Sequence, residues 1–187
     1  MEFGLLLIRL VVGLTLAAHG AQKLFGVFGG YGIAGTGGFF ESLGFRPGKV
    51  IATMAGLGEM GGGLALALGL LTPFAAAVIV AAMIVAIWGV HLEKGFFLEN
   101  DGYEYPLVIS AVAAAVAFTG PGQLSLDQML GLSLAGAKWG LIALSLGVLG
   151  ALPPLLTRAV STHQSVATLA LVPRIDAPML PVEGDAL

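Results

Sequence analysis

The sequence predicts an all-α protein, a polytopic membrane helix bundle with a four-helix core and a fifth transmembrane or interfacial helix. Hydrophobic residues make up 57% of the 187 residues and charged residues only 10%, whereas soluble domains carry roughly 25% charged residues. The apolar residues fall into five segments, each near the ~20 residues that a helix needs to cross a bilayer. The net charge is −3 and no basic stripe is present, which argues against binding to nucleic acid.

The five helices are predicted from apolar length and from the residues that end each segment. They are expected at about 3–25, 50–71, 74–91, 104–119 and 137–156. Glu2 and Arg9 do not fit a signal peptide, so the first segment is predicted to be a retained membrane helix. Pro73 can begin a helix but cannot continue one, so helices 2 and 3 form an antiparallel hairpin. Pro153 and Pro154 are expected to kink or end helix 5.

Three regions follow from this pattern: a helix bundle at 1–135, an additional hydrophobic helix at 136–158, and a partly disordered tail at 159–187. Inside the bundle, the segment 26–48 holds nine glycines and is interpreted as a compact re-entrant or interfacial loop. Gly30 to Gly35 have the spacing G-x-G-x-x-G. That spacing binds dinucleotides only between a strand and a helix, and here it follows a membrane helix, so we attribute it to chance.

A loop and cap motif separates helices 4 and 5. Its residues are Gly120, Pro121, Gly122, Ser125 and Asp127. The glycine–proline–glycine run ends helix 4, and Gln128 stands three residues after Ser125, as in a capping box. The motif therefore predicts a short interfacial helix with a structural role.

Glu59 is the residue that most needs an explanation, because it lies near the centre of predicted helix 2. A carboxylate at that depth costs at least a few kcal/mol and usually has a partner or a function. Two interpretations remain open: a proton path or polar ligand pocket, and an ion pair with Arg9 or another cation that fixes helix register. The neighbouring Gly58, Gly62 and Gly63 predict close helix packing.

Other polar residues are predicted to join Glu59. Arg9, His19 and Lys23 share one face of helix 1, although both cations could instead extend along the helix to the headgroups. Helices 1 and 3 run parallel, so His91 and Glu104 are expected at the same end as Lys23. The predicted buried polar cluster comprises Glu59, His19, Lys23, Arg9, His91 and Glu104.

No catalytic residue and no metal site is assigned from this cluster. The chain has no cysteine, which excludes thiolate metal ligands, iron–sulfur centres and thiol redox chemistry carried by its own residues. His19 and His91 would suit axial haem ligation, but polar packing explains them equally well. We therefore expect neither haem nor zinc.

Alternate loops divide the cations unequally between the two membrane faces. One face receives Lys23, Arg46, Lys49, Lys94, Arg158 and Arg174, and the other receives Arg9 and Lys138. By the positive-inside rule the first face is cytoplasmic, which places the N-terminus outside.

Together these residues resemble the DoxX family of small bacterial membrane proteins over about residues 5–130. The resemblance is carried by Arg9, His19-Gly20, Lys23-Leu24, Gly58-Glu59, Gly62-Gly63, and the segments 69–73, 91–97, 102–106 and 120–127. It implies a four-helix bundle in the bacterial inner (plasma) membrane. The fifth apolar segment and the proline-containing tail depart from the family pattern.

The resemblance also implies a role beside quinone-linked oxidoreductases, from which the family takes its name. We expect an integral membrane subunit of such a complex, with quinone as the ligand and with electrons supplied by other membrane or peripheral subunits. Catalysis by the isolated chain is not expected, since it carries no redox centre. The alternative is a non-enzymatic scaffold or assembly factor that packs against another membrane protein or a second copy, with Glu59 fixing helix packing. A transporter is disfavoured because no inverted repeat is visible.

Overall fold

The computed structural model describes residues 1–170 by their backbone, and the side chains of residues 1–158 and 160. The described part is all-helical and contains no strand. Its α-helices are α1 Glu2–Phe25, α2 Gly32–Ser42, α3 Gly48–Leu68, α4 Thr72–Ala86, α5 Glu104–Thr119, α6 Leu126–Met129 and α7 Ala137–Ala170. Of the tail predicted at 159–187, residues 159–170 belong to α7, and 171–187 lie outside the described residues.

Four helical stretches are long and apolar enough to cross a membrane. They are Glu2–Phe25, Gly48–Leu68, Thr72–Lys94 and Ala137–Arg158. The prediction of an all-α, multi-pass membrane bundle is therefore confirmed. These four helices are not the four that the sequence predicted as the core. The predicted fourth helix, α5, has only 16 residues, which gives about 24 Å of helix, whereas the hydrocarbon core is about 30 Å thick. The additional helix α7 belongs to the long set instead.

Helices α1 and α3 pack closely because glycines replace side chains at their crossing. A Cβ atom added to Gly13 would lie 2.5 Å from the carbonyl oxygen of Gly63, and one added to Gly20 would lie 2.6 Å from that of Gly56. Both distances are too short for real side chains, so the backbones meet directly. Of the predicted packing glycines, Gly63 faces α1. Gly58 and Gly62 face α4, where an added Cβ would lie 3.3 Å from the Val78 side chain, slightly closer than ordinary contact.

Helix α4 lies at the centre of the bundle, in contact with α3, α5 and α7. The core between these helices is apolar and includes Leu66, Ala76, Ile79, Met83, Ala113 and Ala143. After Ala86, α4 continues as a π-helical turn, Ile87–His91, and then as a 3₁₀ turn, Leu92–Lys94. A second 3₁₀ turn, Leu98–Asn100, precedes α5.

The glycine-rich segment differs from its prediction as a loop, because it contains α2. Gly26 and Gly29 have φ angles of 71° and 77°, which only glycine adopts readily, and they turn the chain back after α1. Helix α2 then forms despite its poor propensity because packing against α3 overrides propensity. A Cβ on Gly37, for example, would lie 3.0 Å from Lys49.

Helix α7 continues through Pro153 and Pro154 to Ala170, so of the two predicted outcomes, a kink or an end, the helix does not end at these prolines. Proline is tolerated in membrane helices where side chains and neighbours satisfy the freed backbone groups. In the turn after the prolines, the Thr157 hydroxyl donates to the Pro154 carbonyl at 2.7 Å. Arg158 follows at once and donates to the backbone oxygens of Leu43, at 3.0 Å, and Trp88, at 2.9 Å.

The bundle has two ends, which we name by what they contain. The cavity end holds the last turn of α1, helix α2 and the loop 92–103. The turn end holds the α3–α4 turn at 69–71 and the segment 120–136. The positions of functional side chains are given below relative to these two ends.

Candidate functional site

Lys23 and Glu59 form an ion pair near the cavity end, with 2.5 Å between Nζ and Oε2. Lys23 comes from the last turn of α1 and Glu59 from the middle of α3, where the residue is only 6% exposed. The close glycine crossing at Gly20 and Gly56 brings the two backbones near enough for this contact. The buried carboxylate therefore has a cationic partner, as the cost of burying a charge requires.

His19 belongs to a second hydrogen-bonded group beside this pair. Its Nδ1 lies 3.1 Å from Gln22 Oε1, and its Nε2 lies 3.3 Å from the Tyr105 hydroxyl. Gln22 Nε2 donates to the Phe28 carbonyl at 2.9 Å, which leaves Oε1 to face the histidine. An amide oxygen only accepts, so the neutral imidazole carries its proton on Nδ1, and Tyr105 donates to Nε2.

The resulting chain of hydrogen bonds has a direction. It runs from the Tyr105 hydroxyl on α5, through His19 and Gln22 on α1, to the backbone of the turn after α1. The charge of Glu59 also acts electrostatically on Tyr105. This chain of hydrogen bonds therefore links α5, α1 and the turn after α1. Its member Gln22 forms part of the wall of a cavity.

That cavity occupies about 660 Å³ between the C-terminal end of α1 and helix α2. Its wall is formed by Gln22, Lys23, Gly29, Gly30, Tyr31, Gly35, Thr36, Phe39 and Phe40. Three of these residues are aromatic, three are glycines, and Lys23 is the only charged one. The ammonium of the ion pair is thus part of the cavity wall, while its carboxylate partner lies deeper in the bundle.

Of the six predicted cluster residues, the structure joins Lys23 and Glu59 directly, while His19 lies one helical turn before Lys23 and bonds instead to Gln22 and Tyr105. His91 and Glu104 lie near the same end but organise the loop 92–103. His91 Nδ1 lies 2.5 Å from the Asp101 carbonyl oxygen, and Glu104 accepts from the Leu98 amide at 3.0 Å. Neither residue contacts Glu59 in the described part of the chain, because the π-helical and 3₁₀ turns carry His91 to the loop.

Arg9 lies toward the turn end, so the structure does not place it in the cluster or in an ion pair with Glu59. It precedes Lys23 by fourteen residues, about 21 Å along a helix. Arg9 is fully buried, and its Nη2 donates to the Leu124 carbonyl at 2.5 Å. Its Nε and Nη1 have no hydrogen-bond partner among the described residues.

The predicted loop and cap motif also lies at the turn end and has a structural role there. Ser125 Oγ accepts from the Gln128 amide at 3.2 Å, as the capping spacing predicts. Asp127 accepts from the Leu71 and Thr72 amides at 2.7 and 2.9 Å, and from the Thr72 hydroxyl at 2.7 Å. It therefore caps the N-terminus of α4 from outside that helix.

The remaining members of the motif support this end of the bundle. Gly120 and Gly122 have φ angles of 83° and 81°, and Pro121 is buried between them. The amide of Gln123 donates to the Glu2 carboxylate, which ties the segment to the start of α1.

Sequence reasoning missed Gln22, Thr36 and Tyr105. Gln22 stands three residues after His19, a spacing at which helical side chains meet, and this signal could have identified it. Thr36 carried no signal because its segment was interpreted as a loop. Within the described residues, no group of three or more histidine, aspartate or glutamate side chains is placed to hold a metal ion.

Comparison with known proteins identifies the family of the chain. The DoxX family matches the chain over residues 4–92. A protein of Bacillus subtilis (strain 168) named "Putative oxidoreductase CatD" is 32% identical over 129 residues, which cover 69% of this chain and 88% of that protein. No solved structure matches the chain. The family match and the coverage of this relative show that the chain belongs to the DoxX family.

Proposed function

We propose that the protein is an integral membrane subunit of a quinone-linked oxidoreductase system in the bacterial inner membrane, and that the cavity at Lys23 holds the quinone ring. One observation carries the proposal: the ammonium that neutralises the buried Glu59 also lines the cavity. An ammonium carries three donors, so Lys23 can hold Glu59 and still donate to a ligand. The name of the Bacillus subtilis relative supports the link to oxidoreductases.

The cavity fits a quinone by its chemistry. Tyr31, Phe39 and Phe40 offer aromatic surface for a planar ring, and Lys23 offers a donor for a carbonyl oxygen. Pockets of this kind, mostly apolar with a few placed polar groups, are typical of small-molecule sites. Quinones supply two-electron, two-proton redox chemistry when bound, and the electrons come from a partner subunit since the chain has no cysteine.

The chain's own residues position the ring and handle protons. Glu59 holds the Lys23 ammonium against the cavity, and the charge of Lys23 stabilises negative charge on a carbonyl oxygen during reduction. The directed chain from Tyr105 through His19 to Gln22 orders the α1 side of the cavity. Because the His19 ring is hydrogen-bonded on both sides, to Tyr105 and to Gln22, it is the proton-relaying group that we assign to this site.

The alternative is a scaffold in which Lys23 and Glu59 only fix the register of α1 on α3. The specific observation in its favour is that the ion pair joins the two helices that meet through glycines. A register role requires both charges but no ligand. A measurement of quinone binding distinguishes the two functions, because only the first requires a ligand.

The test is the affinity of the purified protein, in lipid nanodiscs, for a short-tailed quinone. We compare wild type with Lys23→Met/Glu59→Gln, which removes both charges without leaving one buried and unpaired. Losing a charged donor should weaken binding about tenfold or more. Lys138→Met is the matched control, because Lys138 is exposed at the turn end.

Equal quinone affinity in wild type and the double variant would contradict the proposal. Failure of wild type to bind any quinone, with loss of partner association in the double variant, would favour the scaffold. Thermal unfolding of all variants reports whether the bundle remains intact.

A further inference from the structure

Thr36 and Tyr31 are the cavity residues whose hydroxyl groups form no hydrogen bond among the described residues, and of the two only Thr36 is mostly buried. It lies on α2, is only 8% exposed and lines the cavity. The other buried polar groups of that wall are engaged, Gln22 with His19 and Phe28, and Lys23 with Glu59. The Thr36 hydroxyl, in contrast, makes no hydrogen bond to any described residue.

A helical threonine normally returns its hydroxyl to the carbonyl four residues earlier. Two threonines of this molecule do so: Thr53 donates to the Lys49 carbonyl at 2.8 Å, and Thr119 to that of Ala115 at 3.1 Å. Thr36 does not, although it too lies within a helix, and neither does the exposed Thr15 of α1. The Thr36 hydroxyl oxygen remains accessible although the residue as a whole is mostly buried. Because the residue lines the cavity and its hydroxyl has no partner among the described residues, the hydroxyl is available to a ligand that enters the cavity.

The rest of the wall limits what that ligand can be. Phe40 is 8% exposed and lies 5.9 Å from Phe39, measured between ring centroids, so the wall beside Thr36 is aromatic and ordered by contacts. A Cβ on Gly35 would lie 2.6 Å from the Cβ of Tyr31, so the absence of a side chain there lets Tyr31 stand at the rim. These features suit a flat ring rather than a branched polar molecule.

We infer that Thr36 is a specificity-determining residue, whose hydroxyl binds an oxygen of a planar ring held between the aromatic side chains and Lys23. The inference rests on the proposed function and deepens it by naming the residue that selects an oxygenated ring over a bare aromatic hydrocarbon. A hydroxyl both donates and accepts. It therefore bonds to the carbonyl of a quinone and to the hydroxyl of the corresponding quinol, while Lys23 can only donate.

The test uses two probes that share a ring skeleton, 2-methyl-1,4-naphthoquinone and 2-methylnaphthalene. Their affinities for the full chain in nanodiscs are measured by equilibrium dialysis. Thr36→Val keeps the shape of the side chain but removes the hydroxyl. It should weaken naphthoquinone binding about three- to tenfold, the effect of one hydrogen bond, and leave methylnaphthalene binding unchanged.

Two further variants separate recognition from structure. Thr36→Ser keeps a hydroxyl and should restore most of the naphthoquinone affinity. Thr53→Val is the matched control, because its hydroxyl bonds only to its own helix, and it should alter neither affinity. A purely structural role for Thr36 would lower both probe affinities together.

The outcomes distinguish this inference from the proposed function. If Lys23→Met/Glu59→Gln loses the naphthoquinone while Thr36→Val retains full affinity, the role of Thr36 is overturned and the proposed function stands. If Thr36→Val weakens both probes equally, the inference fails as well. If wild type prefers neither probe, the proposed function fails, and the inference fails with it.

Discussion

At the scale of single residues, the two buried charges on α1 and α3 have different surroundings. Glu59 faces an ammonium in the wall of a cavity, whereas Arg9 faces backbone at the turn end and lies within electrostatic reach of Asp127. A guanidinium presents five donors in a fixed fork, and only one hydrogen bond to it is formed within the described residues. Asp127 therefore serves twice, as the cap of α4 and as the nearby countercharge of Arg9.

Asp127→Ala should consequently destabilise the protein strongly. It removes three hydrogen bonds at the start of α4, a loss of about 3 kcal/mol or more in the free energy of unfolding, and leaves Glu2 as the remaining carboxylate that acts on the buried Arg9. Ser125→Ala removes the cap on α6 and the hydrogen bond to the Gly122 carbonyl, together worth about 1–2 kcal/mol. Thermal unfolding followed by circular dichroism measures both.

The aspartate control for this comparison is Asp101→Asn. Asp101 forms an exposed pair with Lys94, at 3.3 Å, and exposed pairs contribute little. Its φ of 58° is a conformation that asparagine tolerates, so no measurable change is expected. A Tm for Asp127→Ala as high as that of the control would show that the cap and countercharge are dispensable.

At the scale of helices, the crossing of α1 and α3 sets the geometry of the site. The sequence predicted both helices to within a few residues, because apolar length and flanking glycine and proline define membrane helices well. It also predicted close packing around Gly63. It did not predict α2, since nine glycines in one segment argue against a helix until the packing surface of α3 is known.

Gly63→Ala and Gly61→Ala form a matched test of this crossing. A Cβ at position 63 would lie 2.5 Å from the Gly13 carbonyl oxygen, whereas one at position 61 meets nothing within 4 Å. We expect Gly63→Ala to lower the free energy of unfolding by about 1–3 kcal/mol and to weaken quinone binding by separating Lys23 from Glu59. Gly61→Ala should be neutral or stabilising by up to about 1 kcal/mol. Equal effects on unfolding would argue against a close crossing.

At the scale of the whole molecule, helix direction decides which predicted residues can meet. The shared face of His19 and Lys23 on α1 was accessible from the sequence, and Lys23 meets Glu59 across the helix crossing. Arg9 lies on the same face of α1 as Lys23. A shared face does not mean a shared depth in the membrane, because fourteen residues of helix separate the two side chains. His91 was misplaced because nothing in the sequence marks the π-helical turn Ile87–His91.

The orientation of the bundle in the membrane can be predicted, and the absence of cysteine from the sequence makes the prediction easy to test. Because the chain has no cysteine, a single introduced cysteine is labelled without background. Ser42 is exposed at the cavity end and Ser133 at the turn end. The excess of cations at the cavity end predicts that it faces the cytoplasm.

A membrane-impermeant maleimide added to intact bacterial spheroplasts should label Ser133→Cys but not Ser42→Cys. Both should be labelled after the membrane is permeabilised. The reverse pattern in intact spheroplasts would place the cavity end outside.

The distribution of contacts along the chain has a consequence for the order of assembly. All nine residues that line the cavity fall between Gln22 and Phe40, and Glu59 adds its charge from the next helix. The bonds from Arg9 to Leu124 and from Arg158 to Leu43 each join residues 115 positions apart. Loop closure costs more entropy as the loop lengthens. During synthesis the proposed binding site can therefore form once the first three helices have left the ribosome, before the later helices pack onto the bundle.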